Sequence, residues 1–266
     1  MSTERSPRGV LRKGAVEGRF TLERYPPCSE LVEIVEWYWS VSWNLPDGTE
    51  HEVELLNHPS YQLVVERGES GVFPMVKGKA TKLLRGQGRA FGAKFWPGAF
   101  HAVWKRDVPA ADSERIPLEM AFGEPGAAYE RTSLSSANDE ERIAAADSFL
   151  VTLAPDLTPD ATRARRIVES IATGRDIVQV SQVAETHGLS VRALQRLFDR
   201  CVGVTPKWVV QRYRIHEAVE ALEAGTPVDL AALAARLNYY DQAHFSRDFT
   251  QLVGRSPSQY VRDLDR

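Results

Sequence analysis

Short hydrophobic runs of two kinds divide the chain into two regions. In residues 20–104, apolar or aromatic positions alternate with polar ones, and Gly, Pro and Asn-Pro turn signals separate the runs. Alternation with a period of two is typical of strands that bury one face, and short turns join antiparallel strands. The pattern therefore predicts a small antiparallel β domain. Its runs are FTLERY, IVEWYWSVSW, HEVELL, YQLVVE, GVFPMV and AFGAKFW.

After residue 108 the apolar positions recur at helical spacing, most clearly in residues 138–153. The stretch APDLTPD at residues 154–160 holds two prolines and helix-capping aspartates, so it marks the predicted domain boundary. Everything after it reads as helices joined by short turns. The sequence thus predicts an α+β fold. We expect a flexible tail at residues 1–19, a β domain with flanking helices at residues 20–155, and an all-α domain at residues 156–266.

The all-α region contains an internal repeat, with an offset of 50 residues that becomes 51 in its second half. Each copy reads as a short helix, a tight turn, a second helix ending near glycine, and a new helix opened by Thr-Pro or Ser-Pro. Asn238 stands in the turn where the first copy has Gly188, and asparagine tolerates the left-handed conformation well. The sequence therefore predicts two helix-turn-helix units. Matched pairs are Val183 with Leu233, Ala184 with Ala234, Leu189 with Tyr239, Arg196 with Arg247, Phe198 with Phe249, Gly203 with Gly254, Thr205 with Ser256 and Pro206 with Pro257.

The second helix of each unit has one apolar face and one face of polar groups that can hydrogen-bond. The apolar stripes are Leu194, Leu197, Phe198 and Cys201 in the first copy and Phe245, Phe249 and Leu252 in the second. In a helix-turn-helix this helix enters the major groove, where Arg can bridge guanine O6 and N7, Gln can bridge adenine N6 and N7, and Ala can meet the thymine methyl. We therefore predict that the bases are read by Arg192, Gln195, Arg196, Gln242, Ala243, Ser246 and Arg247.

Residues near the helix starts are candidates for contacts with the DNA backbone. Hydroxyls, cationic side chains and the free backbone N–H groups of helix N-termini all bind phosphate. Between the two units, residues 207–225 predict one long helix, which would hold the two readers at a fixed separation. The predicted phosphate contacts are Ser190, Thr205, Lys207, His244 and Ser256.

The span from about residue 180 to residue 264 closely resembles the double helix-turn-helix domain of the AraC/XylS-type bacterial transcription regulators. That family ends in a pattern of GF, SDQSHFSR, F and G-x-SP-x-x-Y, which stands here as NYYDQAHFSRDFTQLVGRSPSQY. Asn238 and Tyr239 replace the usual Gly and Phe. Gln179 replaces the usual Ser or Thr cap of the first unit, and it is a poorer cap than Asp229 in the second.

The resemblance implies a sequence-specific regulator of transcription whose partner is double-stranded DNA. It also implies that residues 20–155 form a regulatory domain that binds a small-molecule effector, forms a homodimer, or does both. RNA polymerase would be a further partner if the protein is an activator. The sequence leaves open whether it activates or represses, which effector and operator it uses, and its oligomeric state.

Composition and charge add weak support. The chain of 266 residues has a net charge of -3, but residues 161–266 hold 15 basic residues, 14 of them Arg, against 12 acidic, while residues 1–160 hold 18 against 24. Arg suits bidentate recognition of phosphate and guanine. No apolar run approaches the roughly 18 residues that a membrane span needs, and the opening MSTERSPRGVLRKG has no apolar stretch behind its charges. We therefore expect a cytoplasmic protein without a membrane span.

The aromatic residues of the β region support two interpretations. They can fill the core of the sheet, as aromatic side chains commonly do, or some of them can line an effector pocket. The sequence does not decide between the two. The candidate pocket residues are Trp37, Trp39, Phe95 and Trp96.

Candidate chemistry beyond DNA binding is sparse. His51, His58 and His101 lack the close His-x-His pair of a cupin-like site, so we expect no metal and no cofactor. Neither a Ser-His-Asp, a Cys-His nor a Walker-type constellation is present, so no enzyme is expected. The alternative function is a ligand-binding or catalytic β domain whose helical part is a protein-interaction scaffold. The doubled groove-facing residues argue against that alternative.

Overall fold

A computed structural model describes residue 11 and residues 20–153, 156–174, 179–224 and 228–264. Over these residues the protein is α+β, with antiparallel strands followed by helices, as the hydrophobic pattern predicts. The predicted flexible tail, apart from Leu11, and the first two residues of the predicted linker lie outside the described residues. The strands are β1 (Thr21–Tyr25), β2 (Val35–Asn44), β3 (Glu50–Leu55), β4 (Gln62–Glu66), β5 (Gly71–Phe73), β6 (Ala80–Arg85) and β7 (Gln87–Phe95).

Five of these strands form an antiparallel sheet in the order β1-β2-β7-β4-β5, and β3 pairs with β6 in a second sheet. Strand β7 lies at the centre of the larger sheet, and its side chains alternate between two apolar clusters. Phe91, Ala93 and Phe95 belong to the main core, whereas Ala90 packs with residues of β3 and β6 in a smaller cluster between the sheets. At Gly92 the indole of Trp39 lies so close that a Cβ atom would be 2.4 Å from it.

Four helices cover the face of the larger sheet that carries Phe91 and Phe95. Aromatic rings join them to the sheet: the Tyr61 and Phe100 ring centroids lie 4.7 Å apart, and Phe100 stacks in turn on Trp104 at 5.6 Å. The core interpretation of the aromatic residues therefore holds for this face. The helices are α1 (Phe100–Trp104), α2 (Leu118–Phe122), α3 (Glu124–Ser135) and α4 (Asp139–Leu153).

Seven helices make up the rest of the described chain. The helix predicted between the two repeat copies is present as α8 and is 18 residues long. The seven are α5 (Pro159–Thr173), α6 (Val180–Thr186), α7 (Val191–Cys201), α8 (Pro206–Glu223), α9 (Leu230–Arg236), α10 (Gln242–Val253) and α11 (Pro257–Leu264). None of the described helices is both long and apolar enough to cross a membrane.

The apolar core does not follow the predicted boundary at residues 154–160. One cluster runs from the sheet through α1 and α5 into α6, α7 and the start of α8, so the first helix-turn-helix unit shares its core with the β domain. The second unit has its own cluster, built from α8 to α11, and this cluster includes Leu11 and Leu56 from the first part of the chain. The domain limits themselves stay a prediction.

Candidate nucleic-acid interface

The first helix-turn-helix unit consists of α6 and α7, joined by a turn at Gly188 with φ of +60°. The Ser190 hydroxyl caps α7 by accepting a hydrogen bond from Ala193 N at 3.2 Å. The predicted apolar stripe is confirmed, because all of its members are buried in the shared core. Burial raises the pKa of the Cys201 thiol to about 11. The opposite face of α7 is therefore the one that can meet a partner.

The second unit, α9 and α10, repeats this geometry. Asn238 has a φ of +58°, nearly the value of Gly188, so the predicted left-handed turn is confirmed. Asp229 caps α9, and Asp241 caps α10 by accepting from His244 N at 2.7 Å. The stripe of α10 is likewise buried, with Phe249 edge-on to Tyr260 of α11. The poorer first-unit cap also has a structural partner, since Gln179 N donates to the side chain of Gln182 at 2.9 Å.

The predicted base-reading side chains lie on the outer faces of the two helices. Arg192, Gln195 and Arg196 are exposed on α7, as are Gln242, Ala243 and Arg247 on α10, and Ser246 is half-buried. The arginines Arg192, Arg196 and Arg247 make no hydrogen bond or ion pair with any other residue in the described part of the chain. The first unit thus presents two unpaired guanidinium groups and the second presents one, each beside hydrogen-bonding side chains.

Other arginines of the same region are used in packing. Arg200, at the end of α7, pairs with Asp160 at 2.5 Å. Arg212 in α8 is buried and donates to backbone carbonyl oxygens, and Arg255 pairs with Asp263 at 2.9 Å and with Glu54. The structure therefore separates the arginines that hold the fold from those that remain available on the reader helices.

The predicted phosphate contacts lie at helix starts, as expected. Ser190, Thr205 and Ser256 each cap a helix: Thr205 accepts from Trp208 N and Ser256 from Gln259 N, both at 3.2 Å. A capping hydroxyl still has its own hydrogen to donate to a phosphate oxygen. Lys207 is exposed on the first turn of α8. His244 is half-buried, 3.8 Å from the Asp248 carboxylate and edge-on to Tyr239.

Tyr240 was not singled out from the sequence, although its position makes it a candidate. It directly precedes the cap of α10, and 94% of its surface is exposed, which is unusual for a large aromatic residue. The signal was present in the family pattern, where this position is usually serine. A tyrosine there can reach a phosphate with its hydroxyl or lie against a sugar with its ring.

The four predicted pocket residues do not come together: Trp37 and Trp39 are neighbours on one face of β2, whereas Phe95 and Trp96 lie elsewhere. Phe95 is buried in the main core beside Phe100. The Trp39 indole donates to the Gln62 side chain, and Trp37 lies under Lys94 at 4.0 Å. The Trp96 indole donates to Val32 O and faces the Arg165 guanidinium. None of the four lines a described cavity.

The three histidines are also separate. His58 stacks on His216 with ring centroids 4.1 Å apart, at the contact between the β domain and α8. His51 belongs to β3, and His101 belongs to α1, where burial lowers its pKa. Within the described ranges no three metal-ligating side chains come together.

Comparisons with known proteins match both parts of the chain. A family described as a helix-turn-helix domain matches residues 183–263, and a family described as a domain of unknown function (DUF6597) matches residues 23–117. The transcriptional activator NphR of a Rhodococcus species is 33% identical over 134 residues, which cover 50% of this chain and 39% of that protein. The uncharacterized HTH-type transcriptional regulator YidL of Escherichia coli is 34% identical over 107 residues, covering 38% of this chain and 35% of that protein. The chain thus spans less than two fifths of these curated relatives.

Some solved structures match only part of this chain, and others match nearly all of it. The C-terminal domain of AraT, a response regulator from Geobacillus stearothermophilus, is 28% identical, with a TM-score of 0.36 over 40% of this chain and 86% of that chain. ToxT from Vibrio cholerae is 10% identical, with a TM-score of 0.38 over 91% of this chain and 97% of that chain. Residues 183–263 are an AraC-type helix-turn-helix domain, a type of domain found in bacterial transcription regulators.

Proposed function

We propose that the protein is a sequence-specific DNA-binding regulator of transcription that reads two neighbouring segments of the major groove, one with α7 and one with α10. The observation that carries the proposal is that both helices bury one face completely and present unpaired arginine and glutamine side chains on the other. A solvated helix face would usually mix Glu and Lys instead. Both units also belong to a family of transcription regulators.

The reading residues differ between the units, so the two DNA elements need not be alike. Arg192, Gln195 and Arg196 offer two guanine-type donors and one adenine-type pairing in the first unit. Gln242 and Arg247 offer one of each in the second, and Ala243 is small enough to meet a thymine methyl. We therefore propose a site made of two unlike elements about 10 base pairs apart, on one side of the duplex.

The β domain contacts the first unit through backbone hydrogen bonds. Val108 N donates to Arg200 O at 3.2 Å, at the end of α7, and Ala111 N donates to Gly203 O at 3.3 Å in the turn that follows. The apolar core continues across the same contact. This unit is therefore joined to the β domain by packing as well as by hydrogen bonds.

The helix between the units is held by Arg212. Its guanidinium is fully buried and donates to Asn57 O at 2.7 Å and to Gly78 O at 3.2 Å. Burial lowers the pKa of Arg212 to about 9, so the group remains a cation at neutral pH. A buried cation that donates only to backbone carbonyls fixes the loops around residues 57 and 76–78 against α8.

The second unit contacts the β domain through a cluster of charged side chains. Arg255, between α10 and α11, pairs with Glu54 of β3, and Lys79 pairs with the same carboxylate. Because Glu54 is buried, its two cationic partners offset the cost of removing it from water. Leu11 and Leu56 add apolar contacts to this unit's core.

We infer from these contacts that the β domain sets the relative position of α7 and α10. A small molecule or a second copy of the chain would regulate DNA binding by favouring one arrangement of the three parts over another, since equal affinity for both arrangements shifts nothing. Activation through RNA polymerase and repression by occupying a promoter both fit this proposal.

A mobility-shift assay of the full chain on DNA from upstream of its own gene tests the proposal, with random DNA of the same length as reference. We expect specific binding that Arg196→Ala and Arg247→Ala each weaken by about 5- to 150-fold, equivalent to about 1–3 kcal/mol. The matched control is Arg131→Ala, which removes an exposed arginine from α3, far along the chain from the readers.

The control variant should bind as the unchanged protein does. Equal losses on specific and random DNA would show that the arginines grip the backbone without reading bases. No specific binding to any fragment would favour the scaffold alternative for the helical part.

A further inference from the structure

A cavity of about 840 Å³ lies between the larger sheet and the α3–α4 pair. Its floor is formed by side chains near one end of β1, β2, β7 and β4, and its wall by the end of α3 and the start of α4. The volume lies within the range of roughly 300–1,000 Å³ typical of small-molecule sites. The reader helices do not contribute to it, so it is separate from the nucleic-acid interface.

Two arginines, Arg67 and Arg89, line the floor. Strand register places Thr21 opposite Ser42 and Ser42 opposite Arg89. Arg67 directly follows the last paired residue of β4, Glu66, which lies opposite Ala90, the neighbour of Arg89. Two like charges that line one cavity repel each other.

No described residue compensates the two charges. Arg67 and Arg89 are exposed and form no ion pair or hydrogen bond within the described ranges. Glu66 is the sole carboxylate among the described lining residues, and it already pairs with Lys82 at 2.7 Å. An anion placed between the two guanidinium groups would relieve their repulsion and could accept hydrogen bonds from both.

The wall contributes polar side chains that are buried. Ser133 is only 1% exposed, and its hydroxyl interacts with the hydroxyl of Tyr129, which is also buried. Arg142 is also buried, but Asp139 pairs with it at 2.9 Å, so its charge is already balanced. A polar ligand atom at this wall can accept a hydrogen bond from a buried hydroxyl.

The remaining lining mixes polar side chains with several apolar ones. Phe91 and Val65 are buried in the floor, and Leu134 projects from α3 with 39% of its surface exposed. Phe20, which is half-buried, packs against the smaller cluster between the two sheets. Inorganic phosphate would leave this apolar part uncovered. The geometry points to an organic anion, with a carboxylate between Arg67 and Arg89 and an apolar body against Phe91 and Leu134.

We propose that this cavity is the binding site for such an amphipathic carboxylate. The role of that ligand as an effector rests on the proposed function. A path to the first reader exists, because α4 is followed in the chain by α5, which pairs Arg165 with Glu33 and shares its apolar core with α7. Binding of the carboxylate in the cavity does not depend on the proposed function.

Isothermal titration of the full chain with octanoate and with 3-phenylpropionate, in the absence of DNA, tests the proposal. We expect at least one of them to bind, and octanamide, the uncharged counterpart of octanoate, to bind at least about tenfold more weakly, as does inorganic phosphate. Arg67→Gln and Arg89→Gln should each weaken carboxylate binding by about tenfold or more. Arg131→Gln on α3 serves as the control and should change nothing.

Thermal unfolding without ligand guards against loss of fold. Since Arg67 and Arg89 are exposed and form no ion pair within the described ranges, each Gln variant should unfold at about the same temperature as the unchanged protein. Absence of binding by both carboxylates, equal binding of octanamide or phosphate, or full binding by both arginine variants would overturn the proposal. Carboxylate binding without specific DNA binding would contradict only the proposed function. Specific DNA binding without carboxylate binding would contradict only the proposed ligand site in the cavity.

Discussion

Replacement of Arg212 by methionine tests whether the β domain is fastened to the helix between the readers. Methionine has a similar length and no donor, so Asn57 O and Gly78 O would each lose a cationic donor, now at 2.7 Å and 3.2 Å. The contacts of Arg212 with Lys77 O and Val76 O are longer, at 3.4 Å and 3.5 Å, and contribute less.

The magnitude follows from two opposing effects. Loss of a hydrogen bond to a charged donor costs about 1.5–3 kcal/mol, so the two shorter bonds together represent about 3–6 kcal/mol. Removing the guanidinium also removes the cost of burying it, which is visible in its pKa, lowered to about 9. We expect a net decrease of about 1–4 kcal/mol in the free energy of unfolding.

Urea unfolding of the full chain, followed by tryptophan fluorescence, measures this change. Trp208 is a suitable reporter, because its ring lies 5.1 Å from the Arg212 guanidinium. The control is Arg131→Met, which removes an exposed arginine paired with Glu124 and should change stability by less than about 1 kcal/mol. An Arg212 variant as stable as this control would show that the buried guanidinium does not fasten α8 to the β domain.

Three further predictions concern single side chains. Thr205→Ala should weaken binding to all DNA sequences alike and lower stability by about 1 kcal/mol through the lost cap, which a salt-controlled mobility shift and urea unfolding measure; a loss confined to the specific site would contradict it. Tyr240→Ser should weaken DNA binding without changing sequence preference or stability, since the side chain is exposed, and an unchanged affinity would remove Tyr240 from the interface. Cys201 should resist iodoacetamide at pH 8, because the thiol is buried and its raised pKa of about 11 keeps it protonated there; rapid modification of the native protein would contradict this.

Local patterns of the sequence predicted the parts of the fold that depend on nearby residues. The stripe at Leu194 and Leu197, the stripe at Phe245 and Phe249, and the left-handed turn at Asn238 all follow from helical spacing and backbone preference. The run AFGAKFW likewise predicted a strand, and in the structure this strand is β7 at the centre of the larger sheet. Each of these features needs only a few neighbouring residues to define it.

The roles of the individual arginines could not be predicted in the same way. Arg212 and Arg196 lie on helices of similar composition, and what distinguishes them is a contact between α8 and loops more than 130 residues earlier in the chain. The cavity beside Arg67 and Arg89 depends on the register of four strands and on the placement of α3. Aromatic density instead directed attention to Trp37, Trp39, Phe95 and Trp96, which have separate roles.

Hydroxyl-radical footprinting of the full chain on its specific DNA tests the central claim, two readers in one chain, most directly. We expect two protected elements about 10 base pairs apart, unlike in sequence, with Arg196→Ala reducing protection of one element and Arg247→Ala reducing protection of the other. One protected element per chain, or two elements that respond equally to both variants, would contradict the assignment of α7 and α10 as separate readers.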